Sequence, residues 1–220
     1  MTDVSIEISD DPAGAAAVLL AAIDHAHVAL SGGSTVGAAF EHLAALTPDW
    51  SGVTVWWGDE RAVSPEDERS NYGLAKRLLL DRLERPPRAV HRIEGERSAA
   101  VAAAAYDALL DDVTLDLALN GIGADGHTAS LFPGSSALDE RDRRAVAAEA
   151  RLEPFVDRIT LTPPAFAEAR LLVYLVAGEA KAEAVRRAFA GDPDVATPAS
   201  LVRGRRTVVL LDPAAASLLG

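Results

Sequence analysis

One glycine-rich loop contains the residues of this chain whose types and spacing best suit acid–base chemistry. Residues 120–134, called the histidine loop below, contain Asp125, His127 and three glycines within six positions. Histidine can act as a general base near neutral pH, because its unperturbed pKa is about 6.5. Asp125 stands two residues before His127 and could orient its imidazole, as carboxylates do in hydrolytic triads. We predict that His127 and Asp125 are catalytic; a histidine that only bonds locally is the alternative.

A second loop, made of small residues, is suited to binding an anion. This 31–35 loop lies between a predicted strand and a predicted helix. It consists of Ser31, Gly32, Gly33, Ser34 and Thr35. Glycines let the backbone approach a ligand closely, and the N–H groups at a helix start attract negative charge. The run matches neither the dinucleotide-binding G-x-G-x-x-G motif nor a P-loop. We predict that it binds substrate; a tight turn capped by Ser34 or Thr35 is the alternative.

Four charged residues elsewhere are further candidates for binding an anionic substrate. Asp59 and Arg61 follow a predicted strand, Arg158 begins another, and Lys181 lies in the first turn of a predicted helix. Arginine suits planar anions. A cation near a helix N-terminus is unfavourable for the helix dipole unless an anion is shared there. Taken singly, each is also compatible with an ordinary solvated loop or surface residue.

Composition and charge exclude several classes of function. The net charge is −12, from 21 basic and 33 acidic residues, which argues against a nucleic-acid or membrane-surface binder. With no cysteine and no histidine spacing typical of metal sites, we expect no metal and no other cofactor. The N-terminal residues lack a signal-peptide pattern, and the longest apolar stretch, 15–23, is shorter than the ~20 residues of a membrane span. We therefore expect a cytoplasmic protein.

Alternation of strand-like and helix-like segments predicts an α/β fold. The sheet should be mainly parallel, with helices on both faces, in a single domain over residues 1–220. Predicted strands are 4–8, 27–30, 53–57, 115–119, 158–161, 171–176 and 207–211. Predicted helices cover 12–24, from the 31–35 loop to 46, 71–83, 98–110, 179–189 and a short segment after 211. Residues 58–70 are predicted to form a charged loop.

The histidine loop resembles the signature of the 6-phosphogluconolactonase family. The resemblance is strongest over Asp-Gly-His-Thr-Ala-Ser-Leu-Phe-Pro-Gly at 125–134. Further matches follow in the expected order at 31–35, 58–61, 70–72, 158–160, 178 with 181, and 198–200. Two residues depart from the pattern: Val36 stands where proline often follows the 31–35 loop, and Asn120 is more polar than the residue usual before the first loop glycine.

This resemblance implies a Rossmann-like fold shared with sugar-phosphate isomerases. It also implies a cytosolic enzyme of the oxidative pentose phosphate pathway that hydrolyses 6-phospho-D-glucono-1,5-lactone to 6-phosphogluconate. By position, His127 would be the general base and Asp125 its partner, and Arg61 and Arg158 would hold the substrate. Lys181 matches a phosphate-binding lysine of the related aminosugar-phosphate deaminases. The expected partner is a phosphorylated sugar lactone, bound by a monomer or a weak homodimer.

Two other functions are compatible with the sequence. A glucosamine-6-phosphate deaminase or isomerase of the same fold would carry a glutamate five residues after the loop histidine, where this chain has Phe132. A non-catalytic sugar-phosphate-binding domain of a transcription regulator would need a DNA-binding segment and a less acidic surface. Such a domain would also leave the pairing of His127 with Asp125 without a purpose.

Overall fold

The computed structural model describes residues 3–153 and 155–220, and its strands agree with the predicted α/β class. The strands are β1 (Asp3–Ile8), β2 (His27–Leu30), β3 (Thr54–Trp57), β4 (Asp59–Arg61), β5 (Ala89–Val90), β6 (Leu117–Asn120), β7 (Ala145–Ala148), β8 (Arg158–Leu161), β9 (Leu171–Val176) and β10 (Arg206–Leu211). The α-helices are α1 (Pro12–Ala21), α2 (Ser34–Ala45), α3 (Asn71–Leu78), α4 (Ala99–Leu109), α5 (Pro163–Glu168) and α6 (Ala182–Phe189).

Seven of the described strands form one sheet in the order β1-β10-β9-β6-β2-β3-β5. Every pair of neighbours in it is parallel. The inner strands are nearly continuous apolar runs, as expected where both faces of a parallel sheet are covered. β3 is buried at all four positions, and β9 at five of six. The prediction of a mainly parallel α/β sheet is confirmed.

Helices pack around this sheet, and the sequence explains where α1 begins. Asp11 caps α1 by accepting the N–H of Gly14 at 2.8 Å, and Pro12 stands at the first helical position, where its missing N–H costs nothing. α1 and α2 pack against each other and against β9. Within the described ranges, no helix combines the length and the apolar character needed to cross a bilayer.

Beside the main sheet lies a smaller antiparallel sheet of order β4-β8-β7, and here the sequence prediction was wrong. Residues 58–70 were predicted as a loop, yet Asp59–Arg61 is a strand that pairs with β8. β8 itself has the predicted bounds but lies in this second sheet rather than in the parallel one. Strand β7 was not predicted. Three residues are too few to show a periodicity, so pairing across the chain determines whether such a segment is a strand.

Several element ends also differ from the predictions. α3 ends at Leu78, and a separate 3₁₀ turn covers Leu80–Arg82 of the predicted long helix. Lys181 belongs to a 3₁₀ turn, Glu179–Lys181, that precedes α6. The terminal segment after β10 forms turns rather than a helix. The short elements β5 and α5 were missed. The prediction of a single domain over 1–220 includes residues 1, 2 and 154, which lie outside the described part.

Candidate active site

Two candidate loops follow adjacent strands of the main sheet. The 31–35 loop leaves β2, and the histidine loop begins at the end of β6, the neighbour of β2. From β2 the chain proceeds to β3 and β5 on one side, whereas from β6 it proceeds to β9 and β10 on the other. The carboxyl ends of two such strands form a crevice where open α/β sheets bind ligands. The fold therefore brings the two sequence motifs together at its topological switch point.

The 31–35 loop presents uncapped backbone N–H groups at the start of α2. The N-cap is Gly33, whose φ of +102° is accessible to glycine and strained for other residues, and no side chain caps the helix. The alternative of Ser34 or Thr35 as the cap is therefore wrong. Gly32 is confined as well, since a Cβ there would lie 1.9 Å from Oδ1 of Asn71. The exposed helix start can attract an anion through its N–H groups and dipole.

The histidine loop holds its imidazole in a fixed orientation. Nδ1 of His127 lies 2.6 Å from Oδ1 of Asp125, and the same oxygen accepts the backbone N–H of His127 at 3.1 Å. The loop closes on itself through a bond from the N–H of Gly123 to the carbonyl of His127. A Cβ on Gly123 would lie 2.0 Å from Nδ1, and Gly126 has a φ of +94°. Glycine at 123 lets the ring sit against the backbone, and glycine at 126 allows the left-handed turn beside Thr197.

The charge state of Asp125 determines which nitrogen of His127 is free. Burial tends to raise the pKa of Asp125, but the hydrogen bonds and charge of His127 outweigh it, so the pKa lies below its ordinary value. An ionised carboxylate can only accept hydrogen bonds, so Nδ1 must carry the proton. This leaves the lone pair of a neutral His127 on Nε2. The arrangement is that of a general base with an orienting carboxylate.

A cavity of roughly 220 Å³ lies between the two loops. His127 and all five residues of the 31–35 loop line it. Asp59, Arg61 and Lys181 line it as well, so most of the predicted site residues meet in one space. The remaining lining residues are Val36, Asn71, Gly121, Ile122, Gly123, Ala129, Leu175, Val176 and Ala177. Asp125 contacts His127 but is not itself among the lining residues.

Asp59 is held by two neighbours that were not predicted as site residues. The residue is 6% exposed. Its Oδ1 accepts a hydrogen bond from Nδ2 of Asn71 at 3.0 Å, and its Oδ2 accepts one from Oγ of Ser130 at 2.7 Å. Asn71 is itself buried and lines the cavity. Its Ser-Asn-Tyr context at 70–72 was recognised as part of the family pattern but not as part of the site. Ser130 likewise belongs to the family pattern at 125–134, but its contact with Asp59, 71 positions away, could not be read from the sequence.

The three predicted cations differ in position. Arg61 and Lys181 are half-buried and line the cavity; among the described residues Lys181 forms no ion pair. Arg158 is 4% exposed, lies opposite Arg61 in the β4–β8 pair and is absent from the cavity lining. Burial and then the charge of Arg61 lower the pKa of Arg158, while Asp59 and Glu60 act in the opposite direction. Contact of Arg158 with the substrate, which the resemblance implied, stays a prediction.

Comparison with known proteins identifies the family. The family model described as glucosamine-6-phosphate isomerases/6-phosphogluconolactonase matches residues 3–210. The chain belongs to this family. A 6-phosphogluconolactonase of Aggregatibacter actinomycetemcomitans is 38% identical over 178 residues, covering 77% of this chain and 76% of that relative. The family predicted from the histidine loop is thereby confirmed. The prediction that the chain is an enzyme, a hydrolase like its relatives, is confirmed as well.

Solved structures of the family agree with the fold. The 6-phosphogluconolactonase from Leishmania guyanensis superposes with a TM-score of 0.80 at 29% identity, covering 98% of this chain and 97% of that one. A monomeric glucosamine-6-phosphate deaminase superposes with a TM-score of 0.84 at 23% identity, covering 98% and 99%. The latter likeness concerns the fold alone. The side chains of the site must therefore distinguish the two activities within the family.

Phe132 bears on that distinction. Its ring lies 4.8 Å from the imidazole of His127, and the residue is 2% exposed. Phe132 occupies the position where the deaminase alternative expects a glutamate, and a phenyl ring cannot transfer a proton. It instead gives one side of His127 an apolar neighbour. Within the family, this arrangement favours hydrolysis assisted by one base over isomerisation, which needs a second acid–base group.

Proposed function

We propose that this chain hydrolyses 6-phospho-D-glucono-1,5-lactone to 6-phosphogluconate, with His127 as the general base. The observation that carries the proposal is the bond between Nδ1 of His127 and Asp125, which directs Nε2 to act as a base in a cavity that also contains cations. Membership of the family and the names of the relatives support this substrate. The roles of the individual residues are our own inference.

The phosphate is bound in our proposal by the 31–35 loop together with Lys181. The uncapped N–H groups of α2 and the hydroxyls of Ser34 and Thr35 offer donors, and Lys181 offers a charge without an acidic partner among the described residues. Arg61 lies on the same cavity and either adds to this charge or faces the lactone carbonyl. Anchoring the phosphate orients the carbonyl near His127 and lowers the entropic barrier of the reaction.

The chemistry requires one base that later acts as an acid. Nε2 of His127 takes a proton from water, and the resulting hydroxide attacks the lactone carbonyl carbon. Positive charge or backbone N–H groups stabilise the oxyanion of the tetrahedral intermediate. The intermediate collapses as the bond from the carbonyl carbon to the ring oxygen breaks, and the imidazolium gives its proton to that oxygen. Asp125 stabilises the imidazolium in between.

The activity is tested directly by measuring acid release from freshly made 6-phosphogluconolactone, corrected for spontaneous hydrolysis. We expect release well above the spontaneous rate and no ammonia release from glucosamine 6-phosphate under the same conditions. The opposite pattern would establish the deaminase alternative. Binding of 6-phosphogluconate without any turnover would support the non-catalytic alternative.

The role of His127 is tested by its replacement with alanine. Loss of a general base typically costs roughly 10²–10⁴-fold in rate, so kcat of His127→Ala should fall by that factor while 6-phosphogluconate binding changes far less. The matched control is His42→Ala, because His42 is exposed on α2 and lies outside the cavity lining. Near wild-type kcat in His127→Ala would refute the assignment.

A further inference from the structure

A single buried amide joins the two loops of the site. Asn120 ends β6, is 0% exposed and follows three buried apolar residues of that strand. Its Oδ1 accepts a hydrogen bond from Oγ of Ser31 at 3.2 Å, and its Nδ2 donates to Oγ1 of Thr128 at 3.2 Å. Ser31 is the first residue of the 31–35 loop, and Thr128 directly follows His127. The side chain thus spans from the proposed phosphate loop to the proposed base.

The bonds of this link run in one direction. The hydroxyl of Ser31 donates to Asn120, Asn120 donates to Thr128, and the hydroxyl of Thr128 donates to the carbonyl of Gly121 at 3.0 Å. Each hydroxyl proton therefore has a defined acceptor. A leucine at position 120 could make neither bond, and an aspartate would lack the N–H that Thr128 accepts. An amide is the side chain of this size that serves both neighbours.

The surroundings restrict the movement of this amide. A buried amide among apolar neighbours is costly unless its polar atoms are hydrogen-bonded. Gly58, the residue after β3, packs against the same group. A Cβ on Gly58 would lie 3.1 Å from Oγ of Ser31 and 3.3 Å from Oδ1 of Asn120. The ends of β2, β3 and β6 therefore fix the amide, and with it the separation of the two loops.

We propose that Asn120 is a positioning residue that sets the distance between the bound phosphate and His127. The inference rests on the proposed function, in which the 31–35 loop holds the phosphate and Nε2 activates water. A substrate anchored at one loop reaches the base correctly only if the two loops keep their spacing. A lactone without a phosphate has no anchor on the 31–35 loop and gains nothing from that spacing.

The test compares phosphorylated and plain gluconolactone in Asn120→Leu. Because a misplacement of about 1 Å can cost roughly 10²-fold, kcat for the phosphorylated lactone should fall about 10–100-fold, with little change in KM. For the plain lactone, kcat/KM should change less than about threefold, so the preference of the enzyme for phosphate should collapse. Thr128→Val breaks one bond of the same link and should shift the preference in the same direction if Asn120→Leu does not fold.

The control is Leu117→Val, which removes a buried methylene from the far end of β6 and should leave the substrate preference unchanged. Equal losses for both lactones in the Asn120 and Thr128 variants would show that the residues only support the histidine loop, and would overturn the inference. An unchanged preference in both variants would do the same. Wild-type enzyme without activity or without a preference for phosphate would instead overturn the proposed function, and the inference with it.

Discussion

At the scale of single residues, the proposed base lies apart from the groups proposed to bind the phosphate. His127 is oriented by Asp125 and flanked by Phe132, whereas Lys181 and Arg61 line the same cavity without contacting Asp125. The binding groups should therefore affect a phosphorylated substrate selectively, and the base should affect every lactone. That difference allows mutagenesis to assign the two sets of roles.

Lys181→Ala should weaken turnover of the phosphorylated lactone and hardly affect the plain one. A charge-assisted hydrogen bond contributes roughly 1.5–3 kcal/mol, so we expect kcat/KM for the phosphorylated substrate to fall about 10–100-fold. The chain has two lysines, and the other, Lys76, is exposed and pairs with Asp81, so Lys76→Ala is a matched control. Equal effects of Lys181→Ala on both substrates would contradict the phosphate role.

Arg61→Ala distinguishes two roles for this side chain, phosphate binding and oxyanion stabilisation. If Arg61 binds phosphate, the variant should show the same selectivity as Lys181→Ala. If it stabilises the oxyanion, kcat should fall for both lactones, because the carbonyl is common to them. Steady-state kinetics with both substrates distinguishes these roles. Wild-type values for both substrates would exclude Arg61 from either.

At the scale of elements, the histidine loop is a tight turn, and only some of its glycines leave room for a side chain. Gly123 and Gly121 both line the cavity, but they differ in the space around them. A Cβ on Gly123 would lie 2.0 Å from Nδ1 of His127, whereas the nearest atom to one on Gly121 is a carbonyl oxygen at 3.9 Å. The loop therefore requires glycine at position 123, whereas position 121 has room for a methyl side chain.

Gly123→Ala should displace the imidazole and break its bond to Asp125. We expect kcat to fall by a factor of roughly 10²–10³, within the range of lost general-base catalysis, while binding of 6-phosphogluconate is largely retained. Gly121→Ala is the control and should change kcat far less. Comparable activity of the two alanine variants would show that the loop adapts and that close packing against Gly123 does not constrain His127.

At the scale of the whole molecule, the net charge of the chain and the protonation of its histidines are the relevant properties. The chain has a net charge of −12, yet two cations line the cavity that is proposed to bind the phosphorylated lactone. Outside this cavity, His91 stacks on the indole of Trp56 with ring centroids 4.3 Å apart. Burial, followed by the charge of His27, lowers the pKa of His91. Such a group makes the stability of the fold depend on pH.

The free energy of unfolding should fall as the pH decreases through the range where His91 titrates. Because the folded pKa of His91 is below its unfolded value of about 6.5, the unfolded chain binds the proton more readily. The stabilisation is therefore present above that value and lost on acidification. Denaturant unfolding between pH values of about 8 and about 5.5 should show a flatter dependence in His91→Gln than in wild type. An unchanged slope in His91→Gln would contradict the assignment.

Local sequence was enough for the features that depend on near neighbours. Strands β2, β8 and β9 have the predicted bounds, because their apolar runs are bounded by clear breaks. The pairing of His127 with Asp125 also involves residues only two positions apart. Such features follow from backbone geometry and glycine placement, and periodicity and motif spacing report them directly.

Tertiary structure decided which distant residues meet. Ser31 and Asn120 are 89 positions apart, and Asp59 and Ser130 are 71 apart, so no local pattern could pair them. The same holds for β4, which is a strand only because β8 lies beside it, and for Arg158, which is buried on β8 opposite Arg61. The sequence by itself determined the fold class, the family and the candidate base. The packing of strands distant in the chain decided which side chains support that base and which merely stand near it, because hydrogen bonds and burial depend on position in space.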